Sequence, residues 1–350
     1  MTDPRRVPAS LSLLGGASVL YGAIVRLRNA LYDRKAIPSV KLPRPVVSVG
    51  NITAGGTGKT PMVIHLARFL RERGYRPAVV SRGYGSRGGK AVNVVSDGKT
   101  VLLDPERAGD EPYLMARVLD DVPVVTGPKR VDAGRSAIQL FRPDLLLLDD
   151  GFQHRRLHRD LDIVLLDEAL PFGNGRLLPG GLLREPVEGL SRADLIVLTG
   201  PDTGGPAPPE DPRIPRDRPL FHAVRKAEGF LRGRDDRSYP LEHLEGKPLY
   251  VFSGIGNPSS FHSLLSAIPG TALTCRTFPD HHRYTGGDVE RIRKEASGVP
   301  GAAIVTTEKD AVRLEKYPDF CEDLYRLRIS MALRAGKEDF EAMVLEKLNP

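Results

Sequence analysis

The apolar positions of this chain come in short runs and in stretches of helical period, divided by glycine and proline. The run Pro45-Val46-Val47-Ser48-Val49 is β-branched and short. After the glycine-rich segment that follows it, Met62, Val63, Leu66, Ala67, Phe69 and Leu70 recur at helical spacing until Gly74 supplies a stop. Asp144-Leu145-Leu146-Leu147-Leu148 is apolar along its length after the aspartate, as in a strand buried on both faces of a parallel sheet. Further strands are expected at Pro77–Ser81, Val122–Thr126, Leu161–Asp167 and Ala193–Thr199, with helical or mixed segments between them. Strands alternating with helices predict a doubly wound α/β domain, and a length of 350 residues is long for one core.

The first run of the chain has a different character. Pro8 to Val25 carries no charge, but Gly15, Gly16 and three serines dilute its hydrophobicity. As a helix it would be about 27 Å long, at the lower limit for a bilayer. Arg26 and Arg28 follow it directly, which fits a cleaved signal peptide poorly. Two readings remain: a buried packing helix, or a helix lying in a membrane interface with its basic flanks on anionic headgroups.

Composition narrows the choice of function. With 40% hydrophobic and 27% charged residues the chain is neither disordered nor a multi-span membrane protein. Its two cysteines, Cys275 and Cys321, form no CxxC pair, which speaks against a disulfide framework or zinc site. The net charge is +7, and residues 1–44 hold eight Lys/Arg against two Asp, a local excess of +6. Charge so localised, without interleaved aromatics, excludes a nucleic-acid partner and points to an anionic membrane surface. A monomer is expected.

The chemistry begins at Gly50-Asn51-Ile52-Thr53-Ala54-Gly55-Gly56-Thr57-Gly58-Lys59-Thr60-Pro61. Strand, glycine-rich turn and helix together are the setting of a phosphate loop. There the backbone N–H groups of Gly55, Gly56, Thr57 and Gly58 turn inward on phosphate oxygens, and the helix N-terminus adds its positive end. Lys59 reaches the β- and γ-phosphates, and Thr60 offers its hydroxyl to magnesium. Position 53 departs from the usual pattern, which has glycine there. At the end of the leucine run, Asp149 and Asp150 stand where phosphate-loop folds hold Mg2+. Gly254-Ile255-Gly256-Asn257-Pro258 reads as a structural turn, since no lysine follows it.

The same segment resembles the atypical phosphate loop of the tetraacyldisaccharide 4'-kinases, in which Thr53 is expected. The resemblance continues through Ser81-Arg82-Gly83-Tyr84-Gly85, Gly109-Asp110-Glu111-Pro112, Asp149-Asp150-Gly151-Phe152-Gln153-His154 and Leu178–Pro186. It ends with Phe278-Pro279-Asp280-His281-His282 and Thr306-Thr307-Glu308-Lys309-Asp310, so it spans about residues 45 to 312 in family order. It implies ATP- and Mg2+-dependent phosphorylation of the 4'-hydroxyl of a lipid A disaccharide precursor, on the cytoplasmic face of an inner membrane.

The resemblance also implies a fold. A phosphate-loop domain (41–220) and a smaller α/β domain (232–323) are joined by a two-stranded linker (221–231 and 324–330). A membrane-interface helix (1–40) precedes them and a C-terminal helix (331–350) follows. The strands Phe221–Ala227, Pro248–Ser253, Ala302–Thr306 and Leu324–Ser330 fit it, and seven prolines between Pro201 and Pro219 mark the approach to the linker.

By motif, Asp110 matches the family's catalytic aspartate, paired with His281 across the two domains. Its neighbour His282 is not separable from His281 by sequence. Arg82, Tyr84, His154, Asn174, Arg176 and Arg184 are acceptor-binding candidates, since Arg and Asn suit sugar hydroxyls and a phosphate. Two other readings compete, a kinase of a soluble hydroxyl and a nucleotide-dependent switch. A guanine-reading motif is absent, because Glu308 stands where Asn or Thr is required.

Overall fold

A computed structural model describes residues 15–85, 91–202, 210–233 and 235–348. The basic and apolar residues ahead of Gly15 and the core of the proline-rich stretch, 203–209, lie outside it. In chain order come α1 (Gly15–Asp33), β1 (Val46–Gly50), α2 (Lys59–Glu72), β2 (Pro77–Ser81), β3 (Asn93–Ser96), α3 (Pro105–Ala108), α4 (Asp110–Val118), β4 (Val124–Thr126), α5 (Arg130–Phe141) and β5 (Leu145–Asp149). Next are β6 (Leu161–Asp167), β7 (Leu195–Pro201), β8 (Leu220–Arg232), β9 (Arg237–Tyr239), β10 (Pro248–Ser253), α6 (Pro258–Ser266) and β11 (Ala272–Thr277). The last are α7 (Gly286–Ser297), β12 (Ala303–Thr307), α8 (Glu308–Val312), α9 (Pro318–Cys321), β13 (Tyr325–Leu333) and α10 (Lys337–Leu348).

One sheet runs through both halves in the order β11-β10-β12-β13-β8-β7-β6-β1-β5-β2-β4-β3, with β9 on the side of β8. From β8 to β4 the neighbours are parallel, as are those from β13 to β11. The antiparallel pair β8·β13 is the seam between them. Strand β8 has 13 residues. Its first part pairs with β7 up to Pro201↔Arg225, and its remainder runs past the carboxyl edge of that half. Beyond that edge β13 returns along it, from Tyr325↔Arg232 to Leu333↔Ala223. The carboxyl ends of β10 and β12 therefore point back at the carboxyl ends of β1 and β5. Carboxyl edges of parallel strands are where α/β sites open, and here two of them face each other.

Burial follows from period two. In β5, Leu145 and Leu147 pack with Val47, Val49, Met62 and Leu66 under α2, whereas Leu146 and Leu148 pack with Val46 and with Val131, Ala133 and Ala137 of α5. Both faces are covered, so all five β5 residues are buried. Helix α10 returns to the first face through Phe340, Val344 and Leu348. In the other half α6 covers Leu249 and Val251 while α7 covers Tyr250 and Phe252.

Several boundaries differ from expectation. The strand expected at 193–199 is Leu195–Pro201, β13 runs to Leu333, and the C-terminal helix starts only at Lys337. Strands β3, β9 and β11 had no signal: β3 and β11 are the sheet's two edges, and β11 is exposed along most of its length. An edge strand buries no continuous apolar run, so its sequence lacks one.

Candidate active site

The phosphate loop joins β1 to α2. Gly58 takes φ +82, a conformation disfavoured for any residue with a Cβ, and precedes the helix without a side-chain cap. The first N–H groups of α2 are left free of side-chain partners, as phosphate binding requires. The loop is braced from behind: Asn51 Nδ2 donates to Thr57 Oγ1 at 2.9 Å, and Thr199 Oγ1 donates to the Thr57 carbonyl at 2.8 Å. Gly55, Gly56 and Lys59 line the adjoining cleft, of about 1070 Å³. Thr53 does not: it is buried, and its backbone bridges to Leu183. The turn Gly254–Pro258, expected to be merely structural, meets the loop directly, with Gly256 and Asn257 against Gly55 and Gly56. Its glycines serve close approach across the cleft.

Lys59 Nζ lies 3.6 Å from Asp150 Oδ1. Asp150 also receives both carboxylate contacts of Arg184 Nη1, each at 2.8 Å. Burial opposes its charge, but Lys59 and then Arg184 outweigh it and hold the carboxyl at about 2. Asp149 differs. It is fully buried, Ser81 Oγ donates to its Oδ2 at 2.9 Å, and Oδ1 has no hydrogen-bond partner. Burial, then Glu111 and Asp150, pushes it up to about 7. A buried carboxyl with an oxygen free of hydrogen-bond partners, beside a phosphate loop, fits a cation ligand. Among the described residues no cluster of three or more His, Cys, Asp or Glu could hold a metal. Mg2+ takes one or two carboxylates together with waters and phosphate oxygens. Thr60, Asp149 and Asp150 line the cleft beside the loop, with oxygens of the kind such an ion takes.

Asp110 is the first residue of α4, and Gly109 stands at its cap position. Across the cleft His281 Nδ1 stands 3.1 Å from Asp110 Oδ2. Lys309 Nζ faces His281 Nε2 and Arg313 Nη2 faces Nδ1, each at 3.5 Å, so the shorter contact decides: an ionised Asp110 only accepts, and Nδ1–H is its donor. His282 turns away and pairs with Asp288 at 3.1 Å, so the structure separates the two histidines. His281 lines the cleft, Tyr84 packs against its ring at 5.2 Å, and Asp110 stands behind it with 19% of its side chain exposed. Burial opposes the Asp110 charge, but the His281 hydrogen bond and the Arg313 cation outweigh it and hold the carboxyl below its ordinary value. Further pairs tie α4 to the facing half: Lys309 to Glu111 at 2.8 Å, and Tyr113 and Arg117 to Glu315 at 2.8 and 2.6 Å.

Four acceptor candidates converge on the cleft: Arg82, Tyr84, His154 and Arg184. Burial and the Arg130 charge push His154 down to about 4, so at neutral pH it is an uncharged hydrogen-bonding group. Asn174 and Arg176 are not brought there. Asn174 accepts from the Arg176 N–H at 3.1 Å and donates to the Gly180 carbonyl at 3.2 Å, which organises the 174–183 loop beside α1.

Sequence reasoning missed Arg130 and Gln153. Arg130 is buried beside the acidic pair, with its Nε unpartnered. Its position just past the carboxyl end of β4 could have marked it. Gln153 Nε2 bridges the Asn51 carbonyl at 2.7 Å and Glu185 at 2.8 Å.

Helix α1 docks on the same loops. Tyr21 Oη donates to the Arg184 carbonyl at 2.7 Å, and Asn29 Nδ2 to Glu185 at 3.3 Å. Only Gly22 and Val25 are buried, while Leu20, Ile24, Leu27 and Leu31 form an exposed stripe at helical spacing. Packing and exposure thus fall on opposite faces of one helix. Among the described residues no helix is long and apolar enough to cross a membrane.

A family model described as tetraacyldisaccharide-1-P 4'-kinase matches residues 10–349. The chain belongs to this kinase family. A tetraacyldisaccharide 4'-kinase of Syntrophus aciditrophicus is 44% identical over 98% of the chain and 94% of its own length. One from Pelobacter propionicus is 42% identical over 96% and 93%. A crystal structure of the Aquifex aeolicus family member in complex with ATP superposes with a TM-score of 0.78, at 34% identity over 97% of this chain and 99% of that one. The kinase fold read from the sequence, with its phosphate loop and doubly wound sheet, is the fold found.

Proposed function

We propose that the chain transfers the γ-phosphoryl group of ATP to the 4'-hydroxyl of a tetraacyldisaccharide 1-phosphate, a step in lipid A biosynthesis. The observation that carries the mechanism is the meeting of the phosphate loop with Asp149 and Asp150 on one wall, and with the Asp110–His281 pair across the same cleft.

The free N–H groups at the start of α2 hold the β-phosphate, and the Lys59 ammonium balances charge on the β- and γ-oxygens. Thr60, Asp149 and Asp150 would hold Mg2+, which when bound would supply charge neutralisation at the β- and γ-phosphates. Arg184, by pinning Asp150, keeps that carboxylate charged and fixed. The acceptor oxygen forms its bond to γ-phosphorus as the bond to the β–γ bridging oxygen breaks. Its proton passes to the Asp110–His281 pair, and ADP leaves with the bridging oxygen. Arg82, Tyr84, His154 and Arg130 border the cleft where a disaccharide and its 1-phosphate would lie.

Residues 221–231 and 324–330 act as a linker between domains 41–220 and 232–323, and closure across it excludes water from the γ-phosphate. The exposed stripe on α1 rests in the membrane interface, placing a monomeric enzyme on the cytoplasmic face of the inner membrane. That face leaves the acyl chains in the bilayer while the sugars reach the cleft.

Transfer of labelled γ-phosphate from ATP to tetraacyldisaccharide 1-phosphate in detergent micelles tests the reaction. Labelled lipid from the wild type, lost in Asp110→Ala with ATP binding retained, is the expected result. Free phosphate without labelled lipid would turn the reading towards an ATPase switch.

A further inference from the structure

Arg313 follows the last shared motif by three residues and carries no sequence signal of its own. Its side chain is 6% exposed. Nε donates to Asp110 Oδ2 at 2.6 Å, while Nη1 donates to the Gly254 carbonyl at 2.9 Å and to Asp310 Oδ1 at 3.0 Å. The Gly254 carbonyl also accepts the N–H of His281 at 3.1 Å. Asp310 is fully buried, and Gly254 N–H, Tyr284 Oη and Thr307 Oγ1 donate to it at 3.0, 2.9 and 2.7 Å. His281 itself adopts φ +58, a conformation rare for a residue with a side chain, which persists only where surrounding contacts over-determine it. The cation contact and the histidine contact on Asp110 both fall on the same oxygen, Oδ2.

We propose that Arg313 is a positioning residue for phosphoryl transfer: its guanidinium holds Asp110 Oδ2 where His281 Nδ1 can reach it, and ties that oxygen to the carbonyl that fixes the His281 turn. The inference rests on the proposed role of the Asp110–His281 pair. A fork is required, because three acceptors in different directions must be met from one rigid group. Arg313 also supplies charge next to Asp110. Among the described residues, the other groups facing this pair are Lys309 and Asp310 from α8, Glu111 from α4, Asp280 beside His281, and Tyr84 against the His281 ring. Among the described residues, Arg313 is the only Lys or Arg that makes a hydrogen bond to the carboxylate.

The test compares Arg313→Met and Arg313→Lys with the wild type, using labelled ATP and tetraacyldisaccharide 1-phosphate. Arg313→Met should lower kcat by about tenfold or more while the ATP KM changes by less than about twofold, since misplacement of a catalytic pair affects the chemical step. Loss of the cation raises the Asp110 pKa, so the acid limb of kcat should move to higher pH. Arg313→Lys should restore the limb, through its charge, more fully than it restores kcat. In an Asp110→Asn background the Met substitution should add no further loss, the mark of residues acting as one unit.

Wild-type kcat with an unmoved limb, or losses that add independently to Asp110→Asn, would overturn the proposal. Should Arg313→Met fail to accumulate as folded protein, Arg313→Lys decides. Full kcat in that variant refutes the requirement for a fork, and a lowered kcat with an unmoved limb supports it. An active Asp110→Asn enzyme would instead remove the reading beneath it.

Discussion

Replacing Lys59 with methionine should separate catalysis from folding. The Lys59 side chain is 11% exposed, and its ammonium lies 3.6 Å from Asp150. Removing it does not strand that carboxylate, because Arg184 keeps its two contacts at 2.8 Å. The cost to stability is then about 1 kcal/mol, or about 2 °C in Tm for a protein of this size. The cost to transfer is larger. A unit cation within about 4 Å of a phosphate oxygen, at an effective dielectric near 20, interacts by roughly 4 kcal/mol. At about 1.4 kcal/mol per factor of ten, this is about a thousandfold in kcat. The assay is label transfer to tetraacyldisaccharide 1-phosphate in micelles, read beside thermal unfolding. Lys59→Arg, which keeps the charge, should recover part of the rate. A folded Lys59→Met enzyme within about tenfold of wild type would refute the argument, as would a collapse in Tm accounting for the loss.

Gly58→Ala should impair nucleotide binding. At φ +82 an alanine is strained by about 1–2 kcal/mol, and its Cβ would lie 2.7 Å from Met331 Cε. Thermal stabilisation by ATP should shrink, and an undiminished shift would argue against the loop geometry. Acid unfolding should report Asp110. Its folded pKa is held below 3.8, so its contribution is complete above that value and is lost as pH falls through the folded one. Asp110→Asn should therefore flatten the stability profile below about pH 4, and superimposable profiles would exclude the pairing. Finally, Leu20→Glu with Ile24→Glu places charge on the exposed stripe of α1. Sedimentation with anionic vesicles should fall, and unchanged sedimentation would leave α1 as packing alone.

The sequence by itself determined the elements whose signal is local. The phosphate loop was legible because glycines, lysine and threonine must be contiguous to surround a phosphate. The buried strands were legible because period-two burial on both faces demands runs such as Leu145–Leu148, and Pro77–Ser81, Leu161–Asp167 and Pro248–Ser253 emerged with the boundaries expected of them. The acidic pair was legible from its place at the end of such a run. Edge strands β3 and β11 were not, since an edge needs no apolar face.

Tertiary structure decided whatever depends on residues far apart in sequence. The antiparallel seam of β8 and β13 turns two carboxyl edges towards each other, and only then do His281 and Arg313 meet Asp110 across separations of 171 and 203 residues. It selected His281 over its neighbour, moved Asn174 and Arg176 out to the loop beside α1, and brought Gly256 against the phosphate loop. It also gave Asp149 and Asp150 different characters. Adjacent in sequence and identical in type, they differ because Lys59 and Arg184 pair with one, while burial leaves the other with an unpartnered oxygen.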